Sequence, residues 1–178
     1  RGKMCSCARL RLFGTLAKGW HLRPSARMTF RSHMDAALAE ARAAEARGEV
    51  PVGAVVVNPT GKIVARAGNR TRELNDPTAH AEMLVIREAC ALLGSERLIG
   101  HSLYVTLEPC PMCAGAVAAA RLAKLYYGAS DPKSGGVAQG ARVFAHPQCH
   151  HVPDVYDGIA AQEAELMLRS FFAAKREG

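Results

Sequence analysis

The chain predicts an α/β layered fold. Short β-branched runs recur along it, stretches of strong helix formers stand between them, and Gly, Pro and Asn clusters mark the joins. At 178 residues, 49% hydrophobic and 22% charged, it has room for one ordinary domain with a real core. That balance excludes disorder throughout and fibrous repeats. No internal repeat and no second domain is visible.

The elements follow in order. Met34 to Gly48 is rich in Ala, Glu and Arg and closes on a glycine, so it reads as a helix. Val52–Val57 is almost wholly apolar and β-branched, which predicts a central strand covered on both faces. Asn58-Pro-Thr-Gly61 is turn chemistry, and Lys62–Ala67 returns as the second arm of a hairpin. Gly68–Thr78 is polar and carries Pro77, hence a loop. Ala79–Leu93 has helical apolar spacing through Met83, Ile86, Ala89, Cys90 and Leu93, and Gly94 ends it. Ser102–Leu107 is a third strand, Pro111–Arg121 a helix of small residues, and Ala123–Gly128 a fourth strand. Residues 129–153 are rich in Gly, Pro and His and read as irregular. Asp154–Tyr156 is a short edge strand, and Ala160–Lys175 a closing helix with Leu166, Met167, Ser170 and Phe171 inward.

The longest run of small apolar residues, Cys113–Ala120, is far short of the ~20 residues a membrane span needs. No transmembrane protein is expected. The net charge of +7 suggests a polyanion binder until it is divided along the chain. Residues 1–34 hold eight Lys/Arg and no acid, leaving 15 basic against 16 acidic residues in the remainder. RNA contact by the body must therefore come from local clusters. Residues 1–27 read as a basic extension, either a disordered arm, extra residues upstream of Met28, or a targeting presequence; residues 28–178 form the expected domain. The setting is cytoplasmic, with organellar import the alternative if that extension is a presequence.

Six cysteines stand at 5, 7, 90, 110, 113 and 149. A Cys-x-x-Cys without a secretory signal points to a reducing compartment and a metal or redox site. Two segments carry the chemistry: Thr78-Ala-His80-Ala-Glu82 and Glu108-Pro-Cys110-Pro-Met-Cys113. Cys110 and Cys113 begin a helix directly after a strand, where partial positive charge favours thiolates. With His80 they make three zinc ligands, leaving a fourth tetrahedral position for water, as catalytic zinc requires. Glu82 is the acid beside it, although an i, i+2 pair on an ideal helix points to nearly opposite sides. Three rivals stand against this: a thioredoxin-type dithiol at Cys110 and Cys113, a closed zinc site completed by Cys149, His150 or His151, and cysteines that are merely buried beside a helix-start histidine.

At these residues the chain resembles the cytidine/deoxycytidylate deaminase superfamily, whose signature is H-x-E…P-C-x-x-C. More narrowly it resembles the bacterial tRNA adenosine deaminases of the TadA type. The resemblance covers residues 34 to 176. It is carried by Gly48-Glu-Val-Pro-Val-Gly-Ala54, Gly68-Asn69-Arg70, Asp76-Pro-Thr-Ala-His-Ala-Glu-Met83, Leu103 to Ala116, Tyr127-Gly-Ala129, Asp131-Pro-Lys133 with Gly135-Gly136, and Phe171-Phe172. It implies a three-layer α/β/α cytidine-deaminase-like fold with a mixed sheet of about five strands. It also implies a homodimer that converts adenosine to inosine at the wobble position of an arginine tRNA anticodon. One Zn2+ per chain would sit on His80, Cys110 and Cys113. Glu82 would carry protons from water to the purine nitrogen beside the target carbon, and then to the departing ammonia.

The resemblance extends to weaker positions. Asn69 would hydrogen-bond the flipped base, or else merely shape the turn after Gly68. Asp131 and Lys133 would approach ribose and phosphate, or else form a solvated turn around Pro132. Phe171 and Phe172 would lie near the RNA, although Phe171 also fits the core face of its helix. Arg70, Arg72, Arg142, Lys175 and Arg176 could give local positive surface, or be ordinary surface charge. Three features depart from the family pattern: His150-His151 after Gln148-Cys149 where many members have Asn-His, the stretch Val137–Phe144, and the basic extension. The alternative activity is deamination of a free base or nucleotide of guanine or cytosine type. A silent zinc-binding RNA adaptor is the third reading, against which Glu82 stands.

Overall fold

The computed structural model describes residues 33–177. The expected extension at 1–27, with Cys5 and Cys7, lies outside them. The first helix, α1 (Met34–Ala46), leads into strands β1 (Gly53–Val57) and β2 (Ile63–Gly68). Then follow α2 (Ala81–Leu93), β3 (Ser102–Leu107), α3 (Pro111–Ala119), β4 (Lys124–Ala129), a 3-10 turn at Val143–Ala145, β5 (Asp154–Tyr156) and α4 (Ala161–Glu177). The strands form one sheet in the order β2-β1-β3-β4-β5. β1 runs antiparallel to β2 and β3, whereas β3, β4 and β5 are mutually parallel. The mixed five-stranded α/β expectation therefore holds.

Strand alternation sorts the side chains between two helical layers. Ala54, Val56, Leu103, Val105 and Leu125 share a cluster with Val85 and Ile86 of α2 and Val117 of α3. Val55, Val57 and Tyr104 face the other way, toward Ala36 of α1 and Tyr126. α1 and α4 pack together through Met34, Ala37, Leu38 and Ala164. The approach of α1 to the sheet depends on two glycines that lie opposite each other in the β1–β2 ladder, Gly53 and Gly68. A Cβ on Gly53 would stand 2.1 Å from the Ala37 carbonyl oxygen, and one on Gly68 would stand 2.5 Å from that of Glu40.

Two expectations change. The second helix starts at Ala81 rather than Ala79, because His80 is its extended N-cap. α4 does not turn Leu166 and Ser170 inward: Leu166 is 52% exposed and Ser170 lies on the surface. Its inner stripe is Ala164, Met167, Leu168 and Phe171, an i, i+3, i+4, i+7 set, so the expected face is displaced by about one residue. Met167 and Phe171 belong to both readings.

Candidate active site

α2 and α3 begin beside each other, and each start carries metal-type donors. His80 caps α2 with φ −71° and ψ 151°, and Cys110 caps α3 with φ −66° and ψ 169°. Pro111 occupies the first turn of α3, where its missing N–H costs nothing. The candidate donor atoms of His80, Cys110 and Cys113 all lie within 4.8 Å of one another. His80 Nδ1 is 3.5 Å from Cys113 Sγ and 3.8 Å from Cys110 Sγ. A nitrogen at 2.0–2.1 Å and a sulfur at 2.3 Å from one tetrahedral centre stand about 3.6 Å apart, so the three donors are spaced for one zinc ion. Cys113 holds the Cys110 thiol down to about 4 despite partial burial, with His80 adding to the effect, while the same pairing and burial push the Cys113 thiol up; Cys110 is thus the sulfur already disposed to the thiolate a metal requires.

Glu82 resolves the orientation problem posed by the i, i+2 spacing. Because His80 is extended rather than helical, the roughly 200° rotation between alternate helix residues does not apply to the pair. Glu82 is only 4% exposed. Burial pushes its carboxyl above the usual range and repulsion from the Cys110 sulfur adds to that, while attraction to His80 and a hydrogen bond with the Cys113 side chain work the other way.

Asn69 stands behind the start of α2, 7% exposed. Its Oδ1 accepts a 2.8 Å hydrogen bond from the Ala81 N–H, which leaves Nδ2 as its remaining donor; no hydrogen bond joins that nitrogen to another described residue. Asp131 Oδ1 accepts from the backbone N–H groups of Lys133 and Ser134, the turn arrangement around Pro132. Lys133 is exposed. Phe172 is 47% exposed, while Phe171 is buried and meets it edge to face at 5.4 Å. Arg70 is held by both carboxylate oxygens of Glu73, at 2.9 and 2.6 Å, and Arg72 donates to the Gly48 carbonyl. Arg142 and Arg176 make no side-chain hydrogen bond or ion pair with any described residue, and Lys175 lies over the Phe171 ring at 5.7 Å.

Cys149, His150 and His151 lie beyond the far end of α3. His151 Nε2 is 2.6 Å from the Leu122 carbonyl oxygen, and Arg121 donates to the His150 carbonyl. Among the described residues, the His80–Cys110–Cys113 set is the one cluster able to hold a metal. A 570 Å³ cavity lined by Arg97, Gly115, Ala118, Arg121, Cys149 and His151, among others, also lies at that end, and His80, Cys110 and Cys113 do not line it.

Two buried acids escaped the sequence reading. Glu49 accepts from the Arg72 and Glu73 N–H groups and from the Thr71 hydroxyl, holding the loop that leads toward His80. Glu108 is 2% exposed and gathers five donors from residues 130–139. Both stand within motifs that carry the family resemblance, and an acid inside an otherwise apolar stretch was the available signal.

Three donors, one fewer than a closed structural zinc site uses, with a carboxylate beside them suit a metal-dependent hydrolytic centre. Residues 28–129 match the cytidine and deoxycytidylate deaminase zinc-binding region. The chain belongs to that zinc-binding family. A tRNA-specific adenosine deaminase of Agrobacterium fabrum is 60% identical over 150 residues, covering 84% of this chain and 98% of the relative. A structure solved in a study of A-to-I editing by tRNA:A34 deaminases at the wobble position of transfer RNA superposes with TM-score 0.74 at 61% identity, covering 76% of this chain and 97% of that one. A guanine deaminase of Bacillus subtilis superposes with TM-score 0.57 at 30% identity, covering 85% of this chain and 96% of that one.

Proposed function

We propose that the protein hydrolytically deaminates adenosine to inosine at the wobble position of a tRNA anticodon. The observation that carries the chemistry is the meeting of His80, Cys110 and Cys113 at zinc-ligand spacing with the Glu82 carboxyl beside them. High identity to tRNA-specific adenosine deaminases over nearly their full length supports the substrate.

His80, Cys110 and Cys113 hold the metal. When bound, zinc supplies an activated water at neutral pH by lowering its pKa from 15.7 to about 7. Glu82 would take a proton from the attacking water and deliver it to the purine nitrogen beside the target carbon as the water oxygen bonds to that carbon; it would then pass the added hydroxyl's proton to the amino group, so that the C–N bond breaks and ammonia leaves. Proton transfer of this kind contributes about 10² to 10⁴ in rate. Asn69 directs Nδ2 at an acceptor of the extruded base while its Oδ1 holds the start of α2. Asp131, through its turn, and Lys133 and Phe172 face the RNA around that base, with Arg142, Lys175 and Arg176 adding positive surface. The catalytic domain is residues 28–178; the protein works as a homodimer in the cytoplasm, on an arginine tRNA.

The test is to incubate the protein with an adenosine-wobble anticodon stem-loop, beside guanine, cytosine and cytidine. Inosine at the wobble position alone is expected. Ammonia released only from a free base overturns the RNA reading and favours the small-molecule alternative. Binding to the stem-loop should weaken steeply with added salt, as phosphate contacts require.

A further inference from the structure

We propose that Glu108 is a positioning residue, which sets the loop at 130–139 in register with the reacting centre. This rests on the RNA-editing reading for its effect on substrate, although its structural basis is independent of that reading.

Glu108 directly follows β3 and stands two residues before Cys110. Its Oε1 accepts from the backbone N–H groups of Val137, Ala138 and Gln139, at 3.2, 2.8 and 2.9 Å. Its Oε2 accepts from the Asp131 N–H at 3.0 Å and the Ser130 hydroxyl at 3.1 Å. All five donors belong to one loop, and among the described residues no Lys, Arg or His pairs with the carboxylate. The negative charge is satisfied by oriented backbone dipoles, a nest of N–H groups wrapped round an anion. Such charge-assisted bonds are stronger than neutral ones and lose strength steeply with misalignment.

The fit leaves no room for slack. A Cβ added to Gly135 would stand 2.6 Å from Glu108 Oε1 and 2.6 Å from the Asp131 carbonyl oxygen, so the loop backbone is folded tightly on itself and against the carboxylate. Gly136 donates to the Pro109 carbonyl at 2.8 Å, a second clasp on the same short segment. The chain from Glu108 to Cys110 is thus a rigid two-residue link. It joins a candidate metal ligand at one end to the loop that carries Asp131 and Lys133 at the other. Glu108 is not among the clustered metal donors, and in this place it fixes the distance between the loop and the reacting centre.

The experiment compares wild type with Glu108→Gln and Gly135→Ala. The first keeps the side-chain size but replaces one acceptor oxygen with an NH2 that faces donors. The second leaves the charge and crowds both the carboxylate and the Asp131 carbonyl, which displaces the loop from its seat. Both are expected to raise KM for the adenosine-wobble stem-loop by about tenfold or more, with kcat changed less than about threefold and zinc retained at one per chain. Hydrogen exchange at the amides of Asp131, Val137, Ala138 and Gln139 should speed up by about tenfold in both variants, while the amides of β1 and β3 keep their protection. Unchanged exchange at those four amides overturns the proposal, as does a loss confined to kcat or a loss of zinc. If Glu108→Gln fails to fold, Gly135→Ala decides on the same readouts. If wild type leaves the stem-loop unedited, the RNA reading falls by itself, and the exchange pattern alone decides whether Glu108 holds the loop.

Discussion

Glu82 and Asn69 separate two kinds of contribution that single residues make here. Replacing Glu82 with Ala should abolish deamination while the protein still binds one zinc per chain by metal analysis, because its carboxyl is not among the three donors. Replacing His80 with Ala should lower both zinc content and turnover. On the proposed reading, Asn69 holds the Ala81 N–H with Oδ1 and offers Nδ2 to the base. Asn69→Asp keeps an oxygen for the Ala81 N–H and loses the Nδ2 donor. It should hold thermal stability near wild type and lower turnover by about tenfold or more, the cost of one lost hydrogen bond to a base. Asn69→Ala should in addition destabilise the fold by about 1 kcal/mol, because the start of α2 loses its acceptor. Equal stability of the two variants in urea would refute the division of labour.

Helix α1 and the tyrosines of the sheet make the element-scale case. Gly53 and Gly68 let α1 approach until backbone meets backbone. Gly53→Ala should cost about 3 kcal/mol or more in urea unfolding, since its neighbours are main-chain atoms that cannot rotate away. On the same face of the sheet, Tyr104, Tyr126 and Tyr156 stack across β3, β4 and β5, with ring centroids 4.3 and 4.7 Å apart. Burial, aided by Tyr126, pushes the Tyr104 hydroxyl up to about 12. Its folded pKa lies above the unfolded value of about 10. The stability it contributes is therefore whole below about pH 10 and is lost as pH rises toward 12. From about pH 9 to 11, Tyr104→Phe should lose about 1 kcal/mol less stability than wild type.

Across the whole molecule, the proposed metal site joins elements that meet only in the fold, with His80 at the start of α2 and Cys110 and Cys113 at the start of α3. Removing zinc with a chelator should abolish activity and lower the melting temperature, and restoring zinc should recover both. Among the described residues no helix is long and apolar enough to cross a membrane. The near balance of charge over the body leaves any RNA affinity to local clusters. Two members of that expected cluster are already engaged within the protein, Arg70 by Glu73 and Arg72 by the Gly48 carbonyl.

The order and type of the main elements were legible because each rests on local chemistry. The β-branched run Val55–Val57 makes β1, the alanines make α1, and Gly48 and Gly94 take positive φ where helices end. The metal motif was legible because zinc demands particular donors, and few other chemistries ask for His, Glu and Cys-x-x-Cys together. Long-range geometry was not. Whether Glu82 faces the cysteines depends on the extended backbone of His80, and what Glu108 does depends on groups 22 to 31 residues further on. The inner stripe of α4 departs from expectation because apolar spacing alone does not say which side meets the sheet. Local propensity and ligand chemistry belong to the sequence; directions and distances between segments far apart in the chain come into being only when the core packs.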